Sequence, residues 1–514
     1  MKKHSGSKLL CLLLAAMLIT SLTLPAYAVD EPMVINIARM GDTTTMDPIF
    51  AGDNVDIWVM NLIFEGLVRS TADGRDIEPC LATSWDLSED KCTYTFHLRE
   101  GVCFSTGEPV TVDDWVYSLN RVVSREDGAW QFMVANVTDI SAVDDKTLSI
   151  TISTPSGSFL ADLALFCCAV VPKNYYEKTD DATLANAPIG TGPFYLDSWV
   201  KQENMCFRKN GYYWDEGYPV ADEINFHVVP DDNTRIMQLQ AGQIDVCTGL
   251  TASGIAMVKS FPGVKLIENE STHVSYISFN YTSEKLSDVR VRQALTYATD
   301  RDAIITSVYG GIGKRCTSFI WPTAKHFNNN LPAYEYDLEK AKALLAEAGA
   351  ENLELNVIIV AGDSQDLMLA TVLQSQWAKA GVKLNIQQLD SSARREHRNG
   401  LTYEILFSYL TSDIADTSEL MELVCYSETS DCWHLGWNGE KQEKAEALVK
   451  AAASTMDEDV RMKNYTEAQL ICAEEAIIIP LNCIPSTDAV RDNIEGFYQS
   501  PLGTYMFNEL CRVN

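Results

Sequence analysis

The sequence predicts an α/β protein built from two lobes, and two observations support this prediction. About 486 residues follow a predicted N-terminal leader, which is more than one hydrophobic core usually holds. Between residues 351 and 389, the apolar pattern changes from that of a strand to that of a helix and back. This order at this spacing indicates two parallel strands joined by a right-handed crossover.

The second half of the chain carries these patterns most regularly. Residues 351–360 and 382–389 alternate like strands, and residues 366–381 repeat apolar side chains at helical spacing. We expect residues 403–410 to form a further strand of the same sheet. Ligands of open α/β sheets lie beyond the carboxyl ends of the strands. Asp413 follows that end closely and is predicted to face a crevice; capping a turn is the alternative.

The first half of the chain also mixes strands with helices. Residues 93–98 and 146–153 alternate like strands, and a helix is predicted to begin at Thr111, where Asp114 completes a capping-box pattern. Residues 230–242 predict a short helix that has an aspartate at its N-cap and a glycine at its end.

The N-terminus has the features of a secretory signal. Three lysines precede an apolar stretch from residue 9 to 24, and Ala26-Tyr27-Ala28 has the small residues of a cleavage site. We therefore expect residues 1–28 to form a signal peptide and the exported protein to begin near Val29. An uncleaved membrane anchor is the alternative, but the apolar stretch is short for a membrane span.

The composition of the mature chain excludes some partners. Without the leader, 37 basic residues face 71 acidic ones, a net charge near −34. Such a surface repels nucleic acid and anionic lipid, and no cluster of lysines or arginines opposes it. We interpret the acidity as a source of solubility outside the cell.

Thirteen cysteines remain after the leader, an odd number without a CxxC pair. Cys425 and Cys432 lie close together in the polar stretch "CYSETSDC" and are the best candidates for a disulfide in an oxidising compartment. Most of the others, such as Cys167 and Cys168, are expected to be small buried apolar residues.

No convincing catalytic set is found in the sequence. The histidines form no close metal-ligand pair, no GxSxG elbow occurs, and the glycine-containing turns lack the spacing of a phosphate-binding loop. Asp413 with Asp416 or Glu419 could imitate the carboxyl pair of a glycosidase. We expect a binding protein without cofactor or metal, and keep an exported hydrolase as the alternative from another class.

Five stretches in the same order resemble the family 5 extracellular solute-binding proteins of ABC importers, a group that includes oligopeptide-, dipeptide- and nickel-binding proteins. The resemblance runs from about residue 33 almost to the C-terminus. The stretches are residues 46–68, residues 81–122, "IGTGPFYLDSWV" (189–200), "KNGYYWDEGYPVADEINFHVVPDDNTRIMQLQAGQIDV" (209–246) and "SDVRVRQALTYATDRDAI" (287–304).

The resemblance implies a two-lobed clamp of the periplasmic-binding-protein kind (type II, cluster C), with an extra subdomain inserted in lobe I. It also implies a monomer, periplasmic or associated with the cell surface, that closes on a peptide and delivers it to a membrane permease with ATPase subunits. The expected divisions are lobe I at 29–70 and 186–285, the inserted subdomain at 71–185, lobe II at 286–484, and a return to lobe I at 485–514.

The resemblance also implies ligand-binding residues. Peptide-binding members pair the ammonium group of the peptide with an aspartate in a Trp-x-Ala/Gly-Asp pattern; here "LTSD" holds that place, so that Asp413 matches and Leu410 replaces the tryptophan. The main chains of residues 409–411 (Tyr409, Leu410, Thr411) and of Gly52-Asp53-Asn54 fall where the family pairs with the peptide backbone. Trp130 falls near an aromatic wall of the pocket, and a core tryptophan is its alternative.

The chain departs from the family where basic residues hold the peptide carboxylate. Phe407 and residues 360–366 occupy those positions, although Arg394, Arg395 or Arg398 could supply the anchor from another direction. A solvated surface is the alternative for these arginines. The missing anchor keeps a second hypothesis open, in which the same transport role serves a non-peptide solute such as a metal chelate or a small sugar.

Overall fold

The structure is a computed structural model that describes residues 32–429 and 434–513, so the predicted signal peptide lies outside the described residues. Its two largest sheets, called here the first sheet and the second sheet, contain seven and six strands. Helices pack against both sheets, and the α/β fold class is confirmed. Within the described residues, no helix has the length and apolar character needed to cross a membrane.

The first sheet is mixed and combines strands from the first half of the described chain with the strand Ser486–Arg491 from its last part. Its strand at Val34–Arg39 pairs in parallel with Glu223–Val228 and Val246–Cys247. The predicted helix near residue 232 is confirmed at Asp232–Gln240, where the Asp231 side chain accepts a hydrogen bond from the backbone N–H of Thr234. In spatial order the strands are Val264–Asn269, Ser486–Arg491, Val246–Cys247, Val34–Arg39, Glu223–Val228, Asn204–Lys209 and Phe194–Val200.

A separate sheet of four antiparallel strands forms between residues 82 and 152. The two strands predicted in this region are confirmed, and the helix Val112–Ser124 begins with the predicted capping box between Thr111 and Asp114. Trp115 anchors this helix, with only 1% of its surface exposed. In spatial order the strands are Ala82–Leu87, Thr93–Leu98, Thr147–Ile152 and Val137–Asp144.

The second sheet contains the predicted strand–helix–strand unit. Strands Glu354–Val360 and Lys383–Leu389 pair in parallel, and the helix Ser364–Ala378 connects them. Leu355, Val357 and Ile359 are buried against this helix, together with Leu373 and Trp377. In spatial order the strands are Lys314–Arg315, Ile478–Cys483, Val274–Phe279, Ile405–Leu410, Glu354–Val360 and Lys383–Leu389.

The remaining elements are shorter strands and the helices that cover the sheets. Two small antiparallel pairs join Val68–Ser70 to Ile77–Pro79 and Ile494–Glu495 to Cys511–Arg512. The other helices are Asn54–Met60, Gln131–Val134, Phe159–Leu163, Phe166–Cys168, Lys173–Tyr176, Asp181–Leu184, Ala252–Val258, Val289–Tyr297, Arg301–Ser307, Leu338–Glu347, Ser391–Asn399, Ser418–Cys425, Glu440–Ala453 and Glu458–Glu474.

The chain crosses between the two large sheets twice. It leaves the first sheet at Asn269 and enters the second at Val274, and it returns between Cys483 and Ser486. The first crossing precedes the division predicted between residues 285 and 286, because the strand Val274–Phe279 already pairs inside the second sheet. The two crossings are short and adjacent, as expected for the hinge of a clamp.

A disulfide joins Cys316 to Cys483 at the end of the strand that leads into the return crossing. Cys432, one member of the predicted pair, lies outside the described residues. Its predicted partner Cys425 is a free, fully buried cysteine, with its Sγ 3.8 Å from the Sγ of Cys472. The disulfide that the structure describes therefore involves two cysteines that the sequence did not single out.

We expect the double substitution Cys316→Ser, Cys483→Ser to lower the free energy of unfolding by roughly 2–5 kcal/mol, because the bridge closes a long loop in the unfolded chain. Urea denaturation of the oxidised protein measures the change. Cys103→Ser is the control, since Cys103 is a free and partly exposed cysteine. Equal stability of the double variant and the oxidised wild type would contradict this expectation.

Candidate functional site

The candidate site lies at the carboxyl edge of the second sheet. The strands ending at Val360, Leu389 and Leu410 are parallel, so their ends share this edge. Val274 pairs with Leu410 on one side and with Cys483 on the other, which brings both crossings between the sheets to the same edge. A ligand at this edge therefore lies beside the hinge.

The strand Ile405–Leu410 has an open backbone edge near its end. Within the described residues it pairs with Val274–Phe279 along its whole length, but it pairs with Glu354–Val360 only at Ile405 and Leu406. From Ser408 onward, the side of the backbone that faces away from Val274–Phe279 has no strand partner among the described residues, which suits pairing with an extended chain. This is the segment for which the sequence predicted main-chain contacts with a ligand.

The loop after this strand is tied to the first crossing. The backbone N–H of Ser412 donates to Oγ1 of Thr272 at 2.8 Å, and the Thr272 hydroxyl donates to the carbonyl of Ser412 at 3.3 Å. Thr272 also donates its own backbone N–H to the carbonyl of Pro501 at 3.1 Å. The residues that precede Asp413 are thus held against the hinge.

Glu419 organises the loop around Asp413 from beneath. Its side chain is buried, and Oε2 accepts hydrogen bonds from the Ser412 hydroxyl (2.9 Å) and from the backbone N–H groups of Asp413 (2.8 Å) and Ile414 (3.3 Å). Burial raises the pKa of Glu419 to about 7 despite these three donors. Glu419, which the sequence suggested only as a possible member of a glycosidase-like pair with Asp413, thus supports the loop that carries Asp413.

Asp413 presents a carboxyl group that the protein leaves partly unsatisfied. The residue is half-buried, while its Oδ1 is shielded from solvent and has no hydrogen-bond partner among the described residues. Desolvation and the adjacent Glu419 carboxyl raise the pKa of Asp413 well above its ordinary value. Ionisation of both carboxyl groups together is therefore unfavourable, and a cation placed beside them reduces that cost.

Tyr409 forms one side of a cleft. Its ring stacks on His273 with centroids 4.6 Å apart, and burial lowers the pKa of His273 to about 4, so that the histidine is neutral. Although 53% of Tyr409 is exposed, desolvation and the charge of Asp53 raise the pKa of its phenol. A ring that is exposed and yet desolvated by nearby protein is expected in a cleft. The effect of Asp53 on this ring indicates that the first lobe faces Tyr409 across that cleft.

The other predicted residues take different places around the cleft. Leu410 is buried in the core of the second lobe, and Thr411 is half-buried beside it. Gly52 and Asp53 are exposed, and Asn54 is the first residue of the helix Asn54–Met60. Of this loop, Asp53 is near enough to Tyr409 for its charge to raise the pKa of the phenol.

Trp130 is buried and supports the loop at residues 52–54. Its exposed fraction is 7%, its Nε1–H donates to the carbonyl of Ala51 at 2.6 Å, and its ring meets the edge of Phe166 with centroids 5.6 Å apart. These contacts are those of a core tryptophan that positions the residue before Gly52.

Arg394 lies near Phe407 and near residues 360–366, the two segments in which this sequence lacks the basic residues of the family. Its Nη2 donates to the carbonyl of Phe407 at 2.5 Å, and Asp363 and Asp366 are its acidic neighbours. Burial and the charge of Asp363 raise the pKa of Asp366 to about 6. The Nε of Arg394 is buried without a hydrogen-bond partner among the described residues, and the neighbouring Arg395 is exposed.

Comparisons with known proteins agree with this architecture. The family model described as "Bacterial extracellular solute-binding proteins, family 5 Middle" matches residues 76–431. Heme-binding protein A of Haemophilus influenzae is 30% identical over 86% of this chain and 85% of its own length. The dipeptide-binding protein of Escherichia coli is 29% identical over 87% of this chain and 88% of its own length.

The solved structure of the periplasmic binding protein DppA from Helicobacter pylori, in complex with the peptide STSA, is similar throughout. The TM-score is 0.82 at 25% sequence identity, and the alignment covers 94% of this chain and 99% of that chain. The similarity therefore extends over both lobes and the four-stranded sheet.

We expect Glu419→Gln to change how the stability of the ligand-free protein depends on pH. In the wild type, Glu419 binds more protons in the folded state than in the unfolded state between about pH 4.5 and pH 7. The free energy of unfolding therefore falls as the pH rises. Glu419 contributes up to about 1.4 kcal/mol per pH unit to this decrease. Glutamine is neutral and keeps an oxygen for the three donors. The stability of the variant relative to wild type should therefore rise across this range.

Denaturant unfolding at several pH values measures this difference. Glu443→Gln, at an exposed position on the helix Glu440–Ala453, is the control and should follow the wild-type profile. A constant difference between Glu419→Gln and wild type from pH 4.5 to 7 would show that Glu419 does not carry the extra proton.

Proposed function

Because the chain belongs to the family 5 bacterial extracellular solute-binding proteins, we propose that it captures a peptide between its two lobes outside the cytoplasm and delivers it to an ABC importer. The family consists of binding proteins rather than enzymes. A membrane permease with its ATPase subunits is the partner of such a protein, and a periplasmic or cell-surface location follows from the role. The relatives with dipeptide and peptide ligands support a peptide as the solute.

The observation that carries this proposal is the unsatisfied carboxyl group of Asp413. A peptide ammonium group placed at its Oδ1 makes a charge-assisted hydrogen bond and offsets the negative charge that burial and the adjacent Glu419 disfavour. The site is desolvated, so that a cation there compensates a buried negative charge. A neutral solute cannot supply this compensation.

The open edge of the strand Ile405–Leu410 suits the backbone of the same peptide. An extended ligand that adds to this edge pairs with the main chain of residues 409–411 and meets Gly52-Asp53-Asn54 across the cleft. Contacts to both lobes favour the closed form, because only that form makes all of them.

Arg394 is suited to hold the carboxylate of the peptide. Its guanidinium lies on the carbonyl of Phe407, beside the open edge, and one of its N–H groups has no partner among the described residues. An ammonium at Asp413 and a carboxylate at Arg394 orient an extended peptide along the edge in one direction.

We expect Asp413→Asn to weaken binding of short peptides by tenfold or more, about 1.4 kcal/mol or above, because the ammonium loses its charged partner. Calorimetric titration of ligand-stripped protein with di- to pentapeptides measures the loss. Asp459→Asn, at an exposed position in the first turn of the helix Glu458–Glu474, is the matched control.

The outcomes separate the two parts of the proposal. Tight peptide binding that the Asp413 substitution leaves unchanged would keep the peptide carrier and remove the role of Asp413. The absence of peptide binding to the wild type would overturn the peptide proposal and favour a non-peptide solute in the same transport role.

We expect Arg394→Gln to weaken binding of peptides with a free carboxylate by roughly tenfold, while binding of the corresponding C-terminal amides changes little. The comparison of acid and amide for each variant isolates the charge on the ligand. Arg395→Gln, one residue away and exposed, is the control. Equal losses for acids and amides would indicate that Arg394 supports the loop and does not contact the carboxylate.

A further inference from the structure

Gly157 and Arg461 make a very close contact between two distant parts of the chain. Gly157 follows the strand Thr147–Ile152 of the four-stranded sheet, and Arg461 lies in the helix Glu458–Glu474. A Cβ atom placed on Gly157 would lie 2.7 Å from Cδ, 2.8 Å from Nε and 2.9 Å from Cζ of Arg461. These distances are well inside van der Waals contact, so the arrangement has no room for a side chain at residue 157.

The two sides of this contact belong to different lobes. Arg121, which lies in a helix packed on the four-stranded sheet, donates to the buried Asp47 at 2.9 Å. Arg39 of the first sheet donates to the carbonyl of Val55 at 2.9 Å, so the four-stranded sheet is tied to the first lobe through this segment. The helix Glu458–Glu474, in contrast, packs in the core of the second lobe. Opening of the lobes therefore separates the two sides of the contact.

The guanidinium of Arg461 is held in place and does not move aside freely. The residue is fully buried, its Nη2 donates to Asp416 at 2.7 Å, and its Nη1 donates to Glu458 at 3.0 Å. Asp416 also accepts a hydrogen bond from the backbone N–H of Ser418 at 2.9 Å. Displacement of the guanidinium would leave the buried carboxylate of Asp416 without its cation, which is unfavourable.

The backbone on the other side of the contact is also fixed. Ser156 and Ser158, which flank Gly157, are buried, and their hydroxyl oxygens lie 3.2 Å apart. The Ser158 hydroxyl donates to Asp162 at 3.1 Å. The φ angle of Gly157 lies outside the left-handed region that favours glycine. Glycine is thus required here by the contact with Arg461 and not by the conformation of the backbone.

We propose that Gly157 is a positioning residue for closure, because its lack of a side chain allows the first lobe to pack on Arg461 when the lobes close on a peptide. This proposal rests on the proposed function. Dispersion attraction is lost when surfaces separate by about an ångström, so the contact stabilises the closed form alone. Part of the free energy of closure then comes from the protein itself, at a place that is distinct from Asp413 and Arg394.

We expect Gly157→Ala to weaken binding of the di- to pentapeptides by roughly tenfold, and Gly157→Val to weaken it further, because each side chain keeps the lobes apart. Small-angle X-ray scattering should show that added peptides compact the wild type but compact these variants less. Calorimetric titration of the ligand-stripped proteins measures the affinity.

Gly211→Ala is the matched control, because Gly211 is exposed and no atom lies within 4 Å of a Cβ placed there. It should bind and compact as the wild type does. Thermal unfolding of the ligand-free proteins provides a second readout. The open form does not make the contact, so Gly157→Ala should unfold at the wild-type temperature when no peptide is present.

The outcomes distinguish this proposal from the proposed function. Wild-type affinity and compaction in both Gly157 variants would overturn the role of Gly157 and leave the peptide carrier intact. Full compaction with reduced affinity, or a lower unfolding temperature of the ligand-free Gly157→Ala protein, would also refute a role in closure. Failure of the wild type to bind any of the peptides would overturn the proposed function and this inference with it.

Discussion

The geometry of the site depends on one buried carboxyl group, that of Glu419. It accepts hydrogen bonds from the Ser412 hydroxyl and from two successive backbone N–H groups, which fixes the loop between a strand and a helix. Thr272 holds the same loop against the crossing between the sheets. By accepting these three hydrogen bonds, Glu419 keeps the adjacent Asp413 in place. The Glu419 carboxyl group also makes ionisation of the Asp413 carboxyl group less favourable.

The charge of the ligand therefore matters at this site. Asp413 and Glu419 lie in the second lobe, on the loop and the helix that follow the strand Ile405–Leu410. A cationic ligand reduces the repulsion between these two carboxyl groups, and a neutral ligand does not.

Local features of the fold followed from the sequence because local interactions determine them. The capping box at Thr111 and the strand–helix–strand unit ending at Leu389 are examples in which neighbouring residues carry the whole signal. The place of Val274–Phe279 in the second sheet could not be inferred locally, because its partners are strands far along the chain. The bond between Cys316 and Cys483 spans 167 residues, and no local pattern marks it.

The same distinction applies to the candidate site. The position of Asp413 after a strand could be inferred from spacing, and its family pattern pointed to the same residue. The support from Glu419 and the contact of Arg394 with Phe407 depend on side chains that meet only in the folded protein. Residue types suggested candidates for these roles, but tertiary packing decides which of them meet.

The open edge from Ser408 to Leu410 has a consequence for selection among solutes. Main-chain hydrogen bonds are the same for every peptide sequence, so an edge of this kind attracts extended chains without regard to their side chains. A receptor of this design gains its affinity from what all peptides share. Its preferences among peptides then depend on the few charged side chains around the edge. Substitution of single acidic or basic residues can change these preferences without altering the strand that binds the peptide backbone.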